Sequence, residues 1–353
     1  LRKSSKVTFA TLSTVAGPVQ VALQNADPAI LTRCSPGDIV SCSGHPFVTQ
    51  VGVKTLLVTE LSVLTKALRV SQREVTSDEL RARNRVATMM LGDELLRSVM
   101  NRSAIIAALR SRLAQLGFTE VETRTLVPSS CGATARPFLT HHETLDMDLT
   151  LRVATEIDLK RLVIAGMRKV FEIGKVFRNE GVDPTHSPEF TSLEMYAAYA
   201  GTEWGMRTCE ELVKLAVTAV NPRGLVHRDG VSASFTGAYR RVTMRELVRE
   251  AYPEAPVSDL PTPTSHEIDD LPEFARQFTK SEIRSYGAAL QLLFDLMPAI
   301  NIWQPTFVTQ HPAETSPLAR CRGLFADRVE LYACGVELAN GYAEQTDPDE
   351  QRR

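Results

Sequence analysis

Short runs of alternating apolar and polar residues dominate residues 1–65. The runs are KVTFATLS, VQVALQ, SPGDIVSCSGHPFV and KTLLVTELSVL. Alternation with period two places successive side chains on opposite faces of a strand. About five such strands in a short stretch are typical of a small β-barrel. A generic β-module without a ligand and an oligonucleotide-binding barrel are both consistent with this pattern.

The pattern then changes to a helical period. Residues 70–85 are charged and predict an interdomain linker, and the helical pattern starts at residue 86. Apolar residues then recur about every three or four positions, which predicts a helix that Gly117 ends. These residues are Leu96, Val99, Ile105, Ile106, Leu109, Leu113 and Leu116.

Strands dominate the chain from residue 118 onward. Helices are predicted near 156–166, 203–220 and 281–296, so a mixed α+β domain on an antiparallel sheet is expected. Residues 252–273 contain five Pro and several acids, which predicts a surface connection.

Composition narrows the class of protein. The 353 residues are 43% hydrophobic, which suits a globular chain long enough for two domains. A net charge of −2 excludes an overall positive surface potential. A nucleic acid would therefore need a local patch of basic residues to bind. The six Cys are scattered without a CxxC pair, which favours a reduced intracellular compartment. No apolar run approaches the length of about 18 residues that a membrane helix needs.

A predicted hairpin, residues 170–199, has two unlike faces. Its odd positions are mostly apolar, while its even positions carry Glu172, Arg178, Glu180, Phe190, Glu194 and Tyr196. Buried charges need partners, because leaving them unpaired costs several kcal/mol. An internal network of Arg178, Glu180 and Glu194 would supply them. A ligand with both an anion and a cation, and a base stacked on Phe190, would do so equally.

A second predicted hairpin, residues 329–347, carries further acids. Glu330 and Glu337 lie seven positions apart across a turn near Gly335, which suits hard oxygen ligands of Mg²⁺. Asn340, Tyr342 and Glu344 follow on one face, and a solvated edge strand is the alternative. The paired His141 and His142 lack a third ligand at fixed spacing and predict no zinc site. Without a Walker or GxGxxG motif, a nucleotide would bind by another architecture.

Several long segments resemble a known family in the expected order. FEIGKVFRNEGVDPTHSPEFTSLEMYAAYA resembles motif 2 of the class II aminoacyl-tRNA synthetases, in its lysyl type. CGATARPFLTHHETLDMDLTLRVATEIDLKRLV resembles the lysyl-specific segment, and GFTEVETRTLVP resembles motif 1. PTFVTQHPAETSPLAR and ELYACGVELANGYAEQTDPDEQRR resemble the later active-site strands. Residues 1–65 resemble most of the family's anticodon-binding barrel.

The resemblance implies a fold and a reaction. Residues 1–69 would form an OB-type anticodon-binding barrel without its first strand, 70–85 a linker, and 86–353 a C-terminally incomplete class II catalytic domain. The implied activity is ATP-dependent ligation of L-lysine to tRNA(Lys) through a lysyl-adenylate. ATP would be a substrate, Mg²⁺ a cofactor, and a homodimer without membrane contact the expected state.

The resemblance also assigns residues. Catalytic roles fall on Arg178, Glu180 and His186, and the ATP site adds Ser187 and Phe190. The lysine site comprises Gly132, Glu156, Arg178, Glu194, Tyr196, Asn340, Tyr342 and Glu344. Glu330 and Glu337 match the Mg²⁺ carboxylates, and Arg2, Phe9 and Gln20 are the candidates for anticodon contacts.

Departures from the family pattern keep other interpretations open. A segment resembling motif 3 is lacking, which predicts either a fragment or a catalytically impaired relative that acts as a tRNA-binding or assembly component. An aspartyl or asparaginyl specificity is disfavoured, because Glu194 and Glu344 would repel an acidic substrate. Lysyl transfer to a protein acceptor is disfavoured by the N-terminal barrel. A cytoplasmic protein is expected, with a mitochondrial or other organellar copy as the alternative suggested by Arg124 and Thr155.

Overall fold

The computed structural model of the chain consists of two compact units, Leu1–Met100 and Asn101–Arg353. It describes residues 2–3, 7–14, 17–24, 34–68, 79, 83–91, 93–129, 132–133, 135–183, 186–297 and 302–352. Most of the predicted linker at 70–85 lies outside the described residues.

The first unit is built on one mixed sheet. Its strands are β1 (Arg2–Lys3), β2 (Val7–Thr14), β3 (Gly17–Gln24), β4 (Ile39–Val48) and β5 (Lys54–Thr65). The strand order is β1-β2-β3-β5-β4, and only the β3–β5 pair among these described strands is parallel. The described strands leave β1 and β4 as edges, so the predicted closed OB-type barrel is not found among them.

A glycine shapes the longest pairing of this sheet. β4 and β5 pair with a bulge between Ser43 and Gly44, which bends the strands. A Cβ at Gly44 would collide with the Leu57 carbonyl oxygen, so only glycine permits this approach. Val21, Ala22 and Leu23 of β3 are the buried hydrophobic residues of this sheet among those described.

Two described helical segments lie in the region predicted as helical. They are α1 (Arg85–Leu91) and α2 (Asp93–Gln115). α2 begins in the first unit and ends in the second. Gly117 ends it with a φ of 80°, and the Phe118 N–H donates to the Leu113 carbonyl at 3.0 Å. This glycine-based end confirms the predicted C-terminus of the helix.

The second unit combines four sheets with helices, which confirms the predicted mixed α+β class. Its strands are β6 (Thr119–Glu120), β7 (Leu126–Val127), β8 (Leu139–His142), β9 (Met147–Leu151), β10 (Lys169–Phe177), β11 (Glu189–Ala197), β12 (Leu225–Arg228), β13 (Val231–Ser234), β14 (Arg240–Thr243), β15 (Thr306–Pro312), β16 (Cys321–Arg322), β17 (Phe325–Ala333) and β18 (Val336–Tyr342). Its helices are α3 (Glu156–Ile164), α4 (Thr202–Val220), α5 (Met244–Ala251), α6 (Ser265–Ala275), α7 (Tyr286–Leu296) and α8 (Pro348–Arg352), with 3₁₀ turns at Arg276–Phe278 and Ala313–Thr315. Among the described residues, no helix is both long and apolar enough to cross a bilayer.

Two of these sheets carry the candidate site. The first has the order β11-β10-β6, and the second has the order β14-β15-β17-β16 with β18 also paired to β17. The β10–β11 hairpin pairs Phe171 with Met195 and Ile173 with Leu193. This apolar odd face packs on Leu113 and other residues of the core, so the predicted core face is confirmed.

The prediction of a surface connection at 252–273 is wrong from residue 265 onward. α6 begins there because the Thr264 side chain and Glu267 form a capping box. Leu271 and Ala275, four positions apart, are fully buried in the core between α5, α6 and α7. Cap and burial therefore outweigh the helix-breaking effect of Pro272.

Candidate active site

The even face of the β10–β11 hairpin forms the floor of the site. Glu172 lies directly opposite Glu194, Val170 opposite Tyr196, and Val176 opposite Phe190. Directly opposed residues of an antiparallel pair share a face, so Glu194, Tyr196 and Phe190 lie on the same side. The strand alternation had predicted this arrangement.

The N-terminus of α3 is attached to this floor. The Thr155 N–H donates to Glu194 Oε1 at 3.0 Å, and Glu156 begins the helix. A carboxylate at the first turn also interacts favourably with the positive end of the helix dipole. Glu156 is only 6% exposed, so its charge needs partners from the protein or from a ligand.

Glu156 and Glu344 are bridged by a lysine that the sequence interpretation missed. Lys160 Nζ bonds to Glu156 Oε1 and lies 2.7 Å from Glu344 Oε2. The Tyr342 hydroxyl donates to the same Glu156 oxygen at 2.7 Å, and Lys160 Nζ lies 5.6 Å from the centre of the Tyr342 ring. The Glu-to-Lys spacing of four on a predicted helix was the available signal.

The electrostatics of this acidic pocket favour a positively charged ligand. Burial raises the pKa of the Glu194 carboxyl, and the charges of Glu156 and Glu172 raise it further. The hydrogen bond from Thr155 lowers the same pKa, but by less. Burial also raises the pKa of the Glu344 carboxyl, which Lys160 opposes. Burial and these acids together raise the pKa of Tyr196, so its phenol stays neutral. A bound cation would reduce the electrostatic repulsion between these neighbouring carboxylates.

Arg178 and Phe190 form a separate group at the far end of the hairpin. The Arg178 guanidinium lies 5.2 Å from the centre of the Phe190 ring, and its Nε donates weakly to the Val153 carbonyl at 3.4 Å. Within the described residues, no ion pair joins Arg178, Glu180 and Glu194 to one another. The internal network considered from the sequence is therefore not seen.

The remaining predicted ATP residues lie on the connection after β10. Glu180, His186 and Ser187 are all exposed. His186 Nδ1 lies 2.7 Å from Asp183 Oδ2, so the imidazole is held within this connection. The Arg178 N–H donates to the Pro188 carbonyl at 2.9 Å, so the backbone next to Ser187 lies beside Arg178.

Gly132 lies against the start of α3. Its φ is 92°, in the left-handed region that favours glycine. A Cβ at this position would lie 3.0 Å from the Glu156 Cβ and 3.3 Å from the Ala154 Cβ. The backbone at Gly132 therefore approaches Glu156 closely.

Glu330 and Glu337 lie on β17 and β18. Glu330 is buried, and it accepts hydrogen bonds from Arg328, from the Tyr332 hydroxyl at 2.7 Å and from Asn340 Nδ2 at 3.0 Å. Loss of hydration, and next the charge of Glu330, raise the pKa of the Glu337 carboxyl. Asn340 is thus attached to Glu330, not to the acidic pocket.

These two acids fit a magnesium ion that takes its other ligands elsewhere. Within the described part of the chain, no group of three or more His, Cys, Asp and Glu residues is placed to hold a metal. Mg²⁺ is usually bound by one or two carboxylates together with substrate phosphates and waters. Glu330 and Glu337, two neighbouring carboxylates that repel each other, would be the ligands that the protein supplies to such an ion.

A buried ion pair on the same face of the hairpin as Glu194 was also missed. Arg152 Nη1 lies 2.6 Å from Glu172 Oε1, and Thr123 donates to the other Glu172 oxygen from N and from Oγ1 at 3.1 and 2.7 Å. A Cβ at Gly174 would collide with the Arg152 guanidinium. Glu172 is thus fully partnered inside the protein and supports the floor of the site.

In the first unit, the register brings two of the three anticodon candidates together. Phe9 lies opposite Ala22 and Thr11 opposite Gln20, which places Phe9 and Gln20 on one face. Both side chains are half-buried. The Arg2 backbone pairs with Phe9, while the Arg2 side chain lies outside what the structure describes.

Comparison with known proteins identifies the class. A family described as tRNA synthetases class II (D, K and N) matches residues 77–353. Proteins named lysine–tRNA ligase are similar over 99% of this chain: that of Paraburkholderia phymatum at 35% identity over 71% of its own length, and that of Syntrophomonas wolfei at 36% over 73%. The lysine–tRNA ligase of Leuconostoc citreum is 35% identical over 72% of its length.

The chain therefore belongs to the class II tRNA synthetases, and within them to the family of the lysine–tRNA ligases. This membership confirms the resemblance that the motifs indicated.

Proposed function

We propose that the chain ligates L-lysine to tRNA(Lys) with ATP, through a lysyl-adenylate. The observation that carries the proposal is the convergence of Glu156, Glu194 and Glu344 with two phenols in one acidic pocket. Two ammonium groups of a free lysine would complete that pocket, whereas an aspartate side chain would meet like charges.

The lysine is held along the pocket from its backbone end to its ammonium tip. Glu156 and the backbone at Gly132 bind the α-amino group. Glu194, Tyr196 and Glu344 surround the ε-ammonium. Tyr342 orients Glu156 through the hydrogen bond described above, and Asn340 lies toward the carboxylate end. A substrate without the distal cation would leave these acids unpaired, which is the basis of specificity.

In the first reaction step, a lysine carboxylate oxygen attacks the α-phosphorus of ATP. The bond from that phosphorus to the bridging oxygen breaks, and pyrophosphate leaves with its electron pair. Arg178 contacts the lysine carboxylate and the α-phosphate and stabilises the charge that builds up between them. No side chain forms a covalent bond, because positioning and charge stabilisation suffice.

The nucleotide is held by the far end of the hairpin and the connection after it. Phe190 stacks on adenine, Glu180 contacts the adenine amino group, and His186 and Ser187 reach the outer phosphates. Glu330 and Glu337 would hold Mg²⁺, which neutralises phosphate charge when it is bound.

In the second step, a hydroxyl of the terminal ribose of tRNA(Lys) attacks the lysyl carbonyl carbon, and AMP leaves. The tRNA is recognised by residues 1–69 as an OB-type anticodon-binding domain. Phe9 stacks on an unpaired anticodon base, Gln20 hydrogen-bonds to one, and Arg2 adds a contact. Residues 70–85 act as the linker to the catalytic domain at 86–353.

The assembly is a homodimer. Leu126, in the segment that resembles motif 1, is 47% exposed, which supports burial against a second copy. We place the protein in the cytoplasm, since the described cysteines are all free.

The test is lysine-dependent ATP–pyrophosphate exchange with the purified protein. We expect exchange that depends on lysine and is not supported by aspartate or asparagine. A protein that shows no lysine-dependent exchange would overturn the proposal. If such a protein still binds tRNA(Lys), the alternative of a catalytically impaired tRNA-binding relative is the correct one.

A further inference from the structure

Lys160 holds a position in the acidic pocket that neither the motifs nor the proposed roles explain. Its ammonium bonds to Glu156 and Glu344, the two acids assigned to different ends of the substrate. It also lies over the Tyr342 ring, whose hydroxyl bonds to Glu156. Three groups of the predicted lysine site are therefore organised around one protein cation.

The anchoring of Lys160 shows that this cation belongs to the pocket. It lies on α3, one turn after Glu156, and its side chain is 20% exposed. Burial lowers the pKa of the Lys160 ammonium, but the Glu156 and Glu344 carboxylates raise it by more, so the ammonium stays charged. A short helical tether keeps it beside Glu156 whether or not a ligand is present.

The charge balance of the site depends on this lysine. Across the proposed lysine site, Glu156, Glu194 and Glu344 supply three negative charges, while Lys160 and, at the carboxylate end, Arg178 supply two positive ones, so one negative charge is in excess. The pocket also contains the neutral phenols of Tyr196 and Tyr342. The Glu172 charge is already balanced by Arg152. Free lysine near neutral pH carries one net positive charge, because its side-chain and α-amino groups are protonated and its carboxylate is ionised.

We propose that Lys160 is a positioning residue that holds Glu156 and Glu344 in place and matches the charge of the lysine site to one lysine monocation. The proposal rests on the proposed function and deepens it. Without Lys160, the acids would carry an excess of two negative charges, and Glu344 or Glu194, whose pKa values burial already raises, would take up a proton. Lysine would then have to displace that proton in order to bind.

The test compares Lys160→Met with the wild-type full-length protein by isothermal titration calorimetry with L-lysine. We expect the affinity of Lys160→Met for lysine to fall about tenfold or more, and its affinity for ATP to change less than about twofold. Binding at pH 7 should release up to about one additional proton in this variant, measured from the dependence of the enthalpy on the ionisation enthalpy of the buffer. Lys160→Arg, which retains the charge, should restore most of the affinity.

Lys214→Met is a matched control, because Lys214 combines a glutamate one helical turn earlier with a tyrosine ring in the same way, outside the pocket. Lys214 bonds to Glu210 one helical turn earlier, at 2.6 Å, and lies 5.2 Å from the centre of the Tyr239 ring. This variant should lose a similar amount of stability and bind lysine as the wild type does. Lys160→Gln is the second variant to measure in case Lys160→Met does not fold.

The outcomes separate the two proposals. A wild-type protein that fails to bind lysine contradicts the proposed function itself. A wild-type protein that binds lysine, with Lys160→Met binding equally well or more tightly, contradicts only the role of Lys160. Tighter binding would mean that Lys160 competes with the substrate. If Lys160→Met binds lysine more weakly but releases no extra proton, or loses as much affinity for ATP as for lysine, Lys160 has only a structural role. Either result would overturn the inference.

Discussion

The two ends of the β10–β11 hairpin are built in different ways. At the end that carries Glu194, the charged side chains are buried or half-buried, and they are bonded to other parts of the protein, including the N-terminus of α3. At the other end, Arg178 contacts the Phe190 ring, and the neighbouring Glu180 and His186 are exposed. The first end is thus preorganised by contacts within the protein, whereas polar groups at the second end are exposed to solvent.

This difference follows from the ligands that the two ends are proposed to bind. A small cationic amino acid offers few contacts, so its pocket must be rigid before binding to achieve specificity. A nucleotide brings a large base and several phosphates, and it can order exposed polar groups around itself. Substitutions should therefore affect lysine and ATP separately, depending on the end at which they lie.

Arg178 is proposed to contact both substrates. A substitution at Arg178 should therefore impair the use of lysine and ATP together, unlike substitutions at either end of the hairpin. Arg178→Ala should lower the rate of lysine-dependent pyrophosphate exchange about a thousandfold, since it removes the charge that stabilises the transition state. Arg207→Ala is the control, because Arg207 is an exposed residue of α4. A loss smaller than about tenfold would show that the charge is stabilised by another group.

Glu344 tests the preorganised end. Glu344→Gln should lower kcat/KM for lysine about a hundredfold, because it removes a charged hydrogen bond to the ε-ammonium and one partner of Lys160. The KM for ATP should remain within about twofold of the wild-type value. Glu250→Gln, at an exposed glutamate paired with Arg240, should have no effect. An equal rise in both KM values would mean that the two ends are not separate.

Phe190 tests the exposed end. Phe190→Ala should raise the KM for ATP about tenfold, because it removes the ring proposed to stack on adenine. Direct binding of lysine should be unchanged, and Phe190→Tyr should restore ATP binding. If Phe190→Ala weakens the binding of lysine as strongly as the binding of ATP, the ring contributes to both ends, and the two ends are not separate.

Much of this arrangement could be predicted from local sequence patterns. Strand alternation assigned Glu194, Tyr196 and Phe190 to one face, and the register confirms it. The helix that begins at Glu156 was predicted as well, because an acid near the start of an apolar periodic run is typical of a helix N-terminus. These features depend on residues close together in the chain.

The missed features depend on contacts between distant segments or on competing local signals. The Lys160–Glu344 pair joins α3 to the residues after β18, which no periodicity can indicate. The Arg152–Glu172 pair is hidden in the same way. The prolines of 252–273 indicated a connection, whereas burial of Leu271 stabilises a helix there. Closure of a barrel likewise depends on strand pairings that alternation does not specify.

The smallest expected effect is on the free energy of unfolding, because an ionised Glu194 that would bind a lysine cation destabilises the folded protein without ligand. Burial raises the pKa of Glu194 above its ordinary value of 4.5, so the folded chain binds this proton more tightly than the unfolded chain does. The resulting stability is present below pH 4.5 and is lost as the pH rises through the raised pKa. Glu194→Gln cannot ionise and still accepts the Thr155 hydrogen bond. At pH 7 it should therefore be more stable than the wild type by about 1 kcal/mol, while binding lysine more weakly.

Urea denaturation at pH 7 and at pH 4 measures this difference, which should vanish at the lower pH. Glu246→Gln is a control with the opposite sign, because a hydrogen bond from the Thr243 N–H lowers the pKa of Glu246. That carboxylate contributes stability above its unfolded pKa, so the substitution should destabilise the chain at pH 7. If Glu194→Gln is also destabilised at pH 7, the ionised Glu194 is already balanced within the protein. The pocket would then hold no excess charge for a lysine cation to neutralise.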